Sequence, residues 1–142
     1  MIAKMALCAA AVLLGADPEG KQEPKSNEKD VELIEVEKNI IHFTNLQREK
    51  YKLKPLDISP DLMKSARRHG AWMARNRNMV HCYGPFAENI AMGYKDSRTA
   101  VRAWMNSSGH RANILSSRHR RIGVAAYRTP SGTIYWCQQF RK

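Results

Sequence analysis

Two histidines, His81 and His110, and one acid between them in sequence, Glu88, are the side chains best suited to chemistry in this chain. Brought together, two imidazoles and a carboxylate make a candidate metal or acid–base site. Glu88 and His110 stand in two short stretches, Glu88-Asn89-Ile90-Ala91 and Trp104-Met105-Asn106-Ser107-Ser108-Gly109-His110-Arg111-Ala112-Asn113-Ile114-Leu115, with Gly93 and Gly109 permitting tight turns, and His81 lies just upstream of Glu88. Three such donors could hold Zn²⁺ with positions left open for water. The spacing does not fix this, because the donors lie on separate segments and not on one helix of the HExxH kind.

Ser107 and Ser108 beside His110 suggest a nucleophile, but no strand-to-helix elbow surrounds them, so helix capping is their expected role. His69 falls on an apolar helix face and is expected to be a packed, hydrogen-bonded residue. His42 and His119 read as exposed, and Trp72, Trp104 and Trp136 as core aromatics. Asn89 and Asn113 suit side-chain hydrogen bonds that tie loops to backbone. The run Arg118-His119-Arg120-Arg121 could contact phosphate, with a solvated loop as the default.

The elements that must position these residues are readable in part. Leu33, Val36, Ile40 and Phe43 or Thr44 recur at helical steps, predicting a first helix from Asp30 or Val31 to about Lys50. An extended connection follows over Leu53-Lys54-Pro55-Leu56, since a residue before proline avoids the helical region. Ser59 can cap a second helix with Pro60 first and Asp61 at the positive end. Leu62, Ala66, His69 and Met73 share one face of it, and Asn76 to Asn78 should end it. Met79 to Ala87 reads as loop or short strand. A third helix is predicted from a Ser97 cap through Trp104, interrupted at Ser107-Ser108-Gly109, with a last turn or two to Leu115. Ile122–Tyr127 and Thr133–Phe140 read as strands joined by a Thr129-Pro130-Ser131-Gly132 turn. Helices first and a hairpin last imply an α+β domain.

The chain has 142 residues and 43% hydrophobic content, enough for one domain with a real core. Its charge is uneven: Asp17 to Lys38 carries net −4, whereas Asn39 to Lys142 carries nineteen Lys and Arg against five acids, net +14. So basic a folded region attracts polyanions such as nucleic acid, anionic lipid or acidic envelope polymer, although a solvated cationic surface without a specific partner fits equally. Residues 1–16 read as an export signal: Lys4, then the apolar run Met5 to Leu14, then Gly15-Ala16. Cys8 lies in that run after Leu7, which does not favour lipid attachment. Residues 17–30, with Pro18, Gly20 and Pro24, read as a disordered linker, and 31–142 as the folded domain. Once the leader is gone, Cys82 and Cys137 remain, an even pair expected to form one disulfide in an oxidising compartment; the alternative is two buried free thiols.

Taken in order, Asn45-x-x-Arg48, Leu53-x-Pro55-Leu56, Ala66-x-x-His69, Met79-Val80-His81, Glu88-Asn89-Ile90-Ala91, Gly109-His110-Arg111-x-Asn113-Ile114-Leu115, Ile122-Gly123-Val124 and Tyr135-Trp136-Cys137-Gln138-Gln139-Phe140 resemble a bacterial-type member of the CAP superfamily (cysteine-rich secretory proteins, antigen 5 and pathogenesis-related proteins). The resemblance covers roughly Ile40 to Phe140. It implies a three-layer α-β-α sandwich with a central cleft holding two histidines and two acids. His81, Glu88 and His110 match three of those positions, and the fourth, a glutamate, falls on Ser107. It also implies export, and binding of lipid or sterol or of a divalent cation at the two histidines. Losing the acid at position 107 removes the most obvious general base and weakens cation binding. The sequence therefore reads as an exported, monomeric CAP-domain protein. Its cleft of His81, Glu88, His110 and Ser107 would bind a small molecule, lipid or envelope component, or Zn²⁺ or another divalent cation. The rival readings are a metal-assisted hydrolase or peptidase and a polyanion-binding module, with no specific nucleic acid partner.

Overall fold

A computed structural model describes residues 32–142; the expected export signal and linker, 1–16 and 17–30, lie outside the described residues. The elements run α1 (Glu35–Lys50), β1 (Asp57–Ile58), α2 (Pro60–Asn76), β2 (Ala87–Met92), α3 (Ser97–Met105), α4 (Ser108–Ile114), β3 (Arg121–Arg128) and β4 (Ile134–Arg141). The four strands form one sheet in the order β1-β3-β4-β2, with β1 parallel to β3 and the other pairs antiparallel. The mixture of helices and sheet expected from the sequence is what the chain adopts, an α+β fold.

Alternation along β4 builds the layers. Ile134, Trp136 and Phe140 join one buried cluster with Ile40 of α1 and Val101 and Trp104 of α3, and with Ile114 of α4. Tyr135 and Cys137 join a second cluster with Ala66 and Met73 of α2. Successive side chains of a strand point to opposite faces, so α1, α3 and α4 cover one side of the sheet and α2 the other. Seven of the eight β4 residues are buried, because β4 is an interior strand with helices on both faces. The layer of α2 lies so close to β3 that a Cβ on Gly123 would stand 2.1 Å from the Leu62 carbonyl carbon. Glycine is required there for the close approach.

Several boundaries differ from expectation for local reasons. Residues 32–34 precede the first helix, which begins at Glu35; the Ile34 N–H is taken by Glu37 Oε2 at 3.2 Å. Ser59 does cap α2, accepting from the Leu62 N–H at 3.4 Å. For α3 the cap is Asp96, which accepts the Thr99 N–H at 2.8 Å, while the Ser97 hydroxyl donates to the Val36 carbonyl. Gly109 lies inside α4. The strands β1 and β2 were not anticipated. The first has two residues, and β2 (Ala-Glu-Asn-Ile-Ala-Met) carries Glu88 and Asn89 where a simple strand pattern would show apolar residues. Trp72 is 41% exposed and is not a core residue. His119 is half-buried and stacked on Phe140, not exposed.

Candidate functional site

Glu88 is the centre of the site, and the register of the sheet puts it there. It sits on β2 directly opposite Gln139 of β4, and its side chain is 4% exposed. Oε1 accepts from His81 Nδ1 at 2.9 Å and from the Cys82 backbone N–H at 2.9 Å. Oε2 accepts from Gln139 Nε2 at 2.9 Å, with the Cys137 thiol at 3.7 Å. A carboxylate offers about four lone-pair sites, and here four donors converge on it. A carboxylate oxygen accepts here, so Nδ1 of His81 carries the hydrogen, and in the neutral imidazole Nε2 is left as an acceptor. The His81 ring is 62% exposed, so that nitrogen faces solvent.

The other half of the site lies across the free edge of β2. His110, on α4, lines a cavity of about 240 Å³ with Ser107, Met79, Ile90 and Tyr94. His81, His69, Trp72 and Cys82 line a second hollow of about 330 Å³ on the α2 side. Burial draws the His110 pKa below the ordinary histidine value, and the neighbouring His81 lowers it further. A neutral His110 is therefore favoured. Ser107 is the residue before α4, but its hydroxyl makes no capping bond, so it remains a cavity-wall group.

A chain of amides holds the two halves in register. Asn89 Nδ2 donates to the His110 carbonyl at 3.0 Å and to Gln138 Oε1 at 3.2 Å. Asn113 Nδ2 donates to the Glu88 carbonyl at 3.2 Å and to Asn89 Oδ1 at 2.9 Å. Gln138 Nε2 then reaches Thr44 Oγ1 of α1 at 2.6 Å. Asn113 and Trp104, which bonds the Ile90 carbonyl at 3.1 Å, also cover carbonyls of the edge strand that would otherwise invite pairing. The tying role expected of Asn89 and Asn113 is seen, and so is the hydrogen-bonded burial expected of His69, whose Nε2 lies 2.7 Å from the Val80 carbonyl. The parts the sequence did not single out are Gln138 and Gln139. Two adjacent glutamines in an otherwise apolar strand were the available signal.

Comparison with known proteins gives the family and the fold. The family described as "CAP: Cysteine-rich secretory protein family" matches residues 41–140. The chain belongs to the CAP family. The Bacillus subtilis (strain 168) protein YkwD is 41% identical, over 73% of this chain and 46% of its own length. An extracellular protein containing an SCP domain from Bacillus anthracis superposes with a TM-score of 0.67 at 26% identity, over 75% of this chain and 40% of that one. A structure of NaASP2 with Zn²⁺ shares the fold, with a TM-score of 0.62 at 14% identity, over 81% of this chain and 82% of that one. The chain thus spans less than half the length of the two bacterial relatives.

Within this CAP domain, two expectations need correction. Cys82 and Cys137 are free thiols and not a disulfide. Glu88 stands between them: it takes the Cys82 N–H and the Cys137 thiol, while the Cys82 thiol turns to the Tyr83 carbonyl at 3.6 Å. Burial and the Glu88 charge raise both thiol pKa values, so both stay protonated and weakly nucleophilic. The second correction concerns the donor set His81, Glu88 and His110. Among the described residues no group of three or more His, Cys, Asp or Glu side chains is arranged to hold a metal ion. The reason is chemical, since the lone pairs of Glu88 are committed to its four donors and it acts behind His81 as an orienting group. Two imidazoles are left, one short of the three protein ligands of a catalytic Zn²⁺ site.

Proposed function

We propose that this protein is an exported CAP-domain binding protein whose cleft at the β2 edge takes a small polar ligand of the envelope or extracellular space. The observation that carries this reading is the His81–Glu88 pair. A buried carboxylate fixes the tautomer and rotation of an exposed imidazole, so that His81 Nε2 is a preoriented acceptor. His110, held toward its neutral form, supplies a second imidazole, and Ser107 a hydroxyl. Exposed Met79, Val80 and Tyr83 beside the histidines give such a ligand apolar surface to lie on. Export is supported by the leader-like residues 1–16 and by the extracellular character of the Bacillus anthracis relative. Among the described residues no helix is long and apolar enough to cross a membrane.

Hydrolysis is disfavoured by the same geometry. The pair His81–Glu88 has the base and its orienting acid, yet among the described residues no hydroxyl or thiol is hydrogen-bonded to His81 as a nucleophile. A cation reading reduces to weak coordination by His81 and His110.

The test is native mass spectrometry of protein recovered from the exporting cells. An adduct present on the wild type and lost from both His81→Ala and His110→Ala is the expected result. An adduct retained by both variants would place the ligand elsewhere. Calorimetry with Zn²⁺ at neutral pH should show at most weak binding that needs both histidines. Tight binding that is lost in Glu88→Gln would restore Glu88 as a ligand.

A further inference from the structure

On the opposite side of the sheet from the Glu88 carboxylate, α1, α3 and α4 enclose a cavity of about 420 Å³ whose walls include Lys50, Arg98, Arg102 and Arg111 and, among the described residues, no Asp or Glu. We propose that this cavity binds a multiply charged, phosphate-bearing anion. Among the described residues none of the four cations forms an ion pair; the salt bridges involve Lys38, Arg67, His81 and Arg141. Asp96, the residue before α3, is held low chiefly by its capping of Thr99 and only in small part by Lys95 and Arg102. Four cations around one hollow repel one another, and that cost is offset when an anion enters.

Helix electrostatics accounts for part of the cluster, since Lys50, Arg102 and Arg111 lie in the last turns of α1, α3 and α4, where a cation is favoured, but it does not account for their convergence with Arg98 on one hollow. The C-terminal carbonyls of α1 are already met by backbone, with the Tyr51 and Leu53 N–H groups on the Arg48 carbonyl and Lys52 N–H on that of Glu49. Arg98 lies in the first turn of α3, the positive end of the helix, where a cation is disfavoured. The guanidiniums are instead preset by aromatic rings. Arg98 sits 4.7 Å above the Phe43 ring, and Arg111 sits 5.2 Å above Tyr51 while donating to its hydroxyl at 2.6 Å. Stacking restrains a planar fork whose free N–H groups suit the oxygens of a phosphate. It also covers one face of the Phe43 ring and one of the Tyr51 ring. A phosphate headgroup and a soluble phosphate anion present the same chemistry to this cavity.

Tripolyphosphate titrated into the full chain by calorimetry tests the proposal. Saturable one-site binding is expected, weakened about tenfold or more in R98Q/R102Q/R111Q by loss of charge-assisted bonds. The control K64Q/R75Q/R121Q removes the same charge from exposed positions away from the cavity, and should weaken binding less than about twofold because distant charges are screened. Equal losses in the two variants, or no saturation in the wild type, would overturn the site. If the glutamine variant does not fold, R98K/R102K/R111K carries the test. It keeps the charge but loses the fork, and should bind more weakly than wild type, whereas full wild-type affinity would overturn the guanidinium assignment. Co-sedimentation with phosphatidylglycerol vesicles but not phosphatidylcholine vesicles, lost in the same variants, would assign a lipid headgroup; tripolyphosphate binding without vesicle binding would assign a soluble anion. Laurate displacing tripolyphosphate at lower concentration would overturn both.

Discussion

Arg48 and Glu88 are both buried charges, and they have been put to different uses. Arg48 is 1% exposed and forms no ion pair among the described residues. Its guanidinium donates to the carbonyls of Lys54 at 2.9 Å, Ile114 at 2.8 Å, Ser116 at 2.9 Å and His119 at 3.4 Å. Every bond ends inside the protein, and together they clasp α1 to the segment between α4 and β3. Glu88 is equally well partnered, but one of its four donors is an imidazole that is itself mostly in solvent. A buried charge whose partners are all backbone closes a structure. One whose partner has a free, exposed nitrogen transmits its orientation to the surface. The difference separates a structural charge from a site-forming one when burial alone would treat them alike.

Removing the clasp should have the largest effect. Arg48→Leu strips bonds from four carbonyls, and a loss of about 3–4 kcal/mol of stability is expected by urea denaturation. A loss under about 1 kcal/mol would mean that water replaces the guanidinium and that the contrast drawn above is false. Glu88→Gln should cost less, about 1–3 kcal/mol, because the new amide N–H₂ must face a donor. Its distinctive sign is at His81: nitrogen-15 NMR should show a well-defined Nδ1–H tautomer in the wild type and a mixture in the variant. An unchanged His81 signature would show that Glu88 does not orient the ring.

His69→Phe keeps the packing and removes the bond to the Val80 carbonyl, at an expected cost of about 1 kcal/mol. Thermal denaturation checks the stability. Loosening of the 77–86 loop, read by hydrogen exchange, should accompany it and should reach His81 but not His110.

Acid provides a gentler probe. His110 and His119 are both lowered from 6.5 in the folded protein. Well above pH 6.5 both are neutral in either state and contribute no pH dependence. Below it the unfolded imidazoles take up protons first, so stability falls with falling pH until the lowered folded values are passed. His110→Asn should flatten part of this acid limb and His119→Asn another part, as measured by melting temperature against pH. An acid limb unchanged in both variants would assign it to other groups. The smallest effect belongs to Tyr51→Phe, which removes one exposed bond from Arg111 and should change stability by no more than about 0.5 kcal/mol.

Much of the frame could be read from the sequence because it depends on local rules. Ser59-Pro60-Asp61 marks the start of α2, and the Thr129–Gly132 turn joins the last two strands, with Gly132 at φ +91 as that turn demands. The ordered run of CAP-like motifs, from Asn45 to Phe140, identified the family and with it His81, Glu88, His110 and Ser107 as candidates. Composition alone showed a basic folded region.

What those residues do to one another was decided by the tertiary structure. The strand β2 was hidden because Glu88 and Asn89 break its apolar pattern, and only pairing with β4 supplies Gln139 and Gln138 to satisfy them. That pairing, together with His81 and Cys82 of the loop before β2, saturates Glu88, which removes it as a metal ligand, and sets it between two thiols that an even cysteine count would join in a disulfide. The cationic cavity draws on Lys50, Arg98, Arg102 and Arg111 from three helices, so no sequence window contains it. Periodicity, capping and motif order act within a few residues and survive in the sequence. Hydrogen-bond saturation and convergence of charge depend on which segments meet, and that is settled only when the sheet register and the helix layers form.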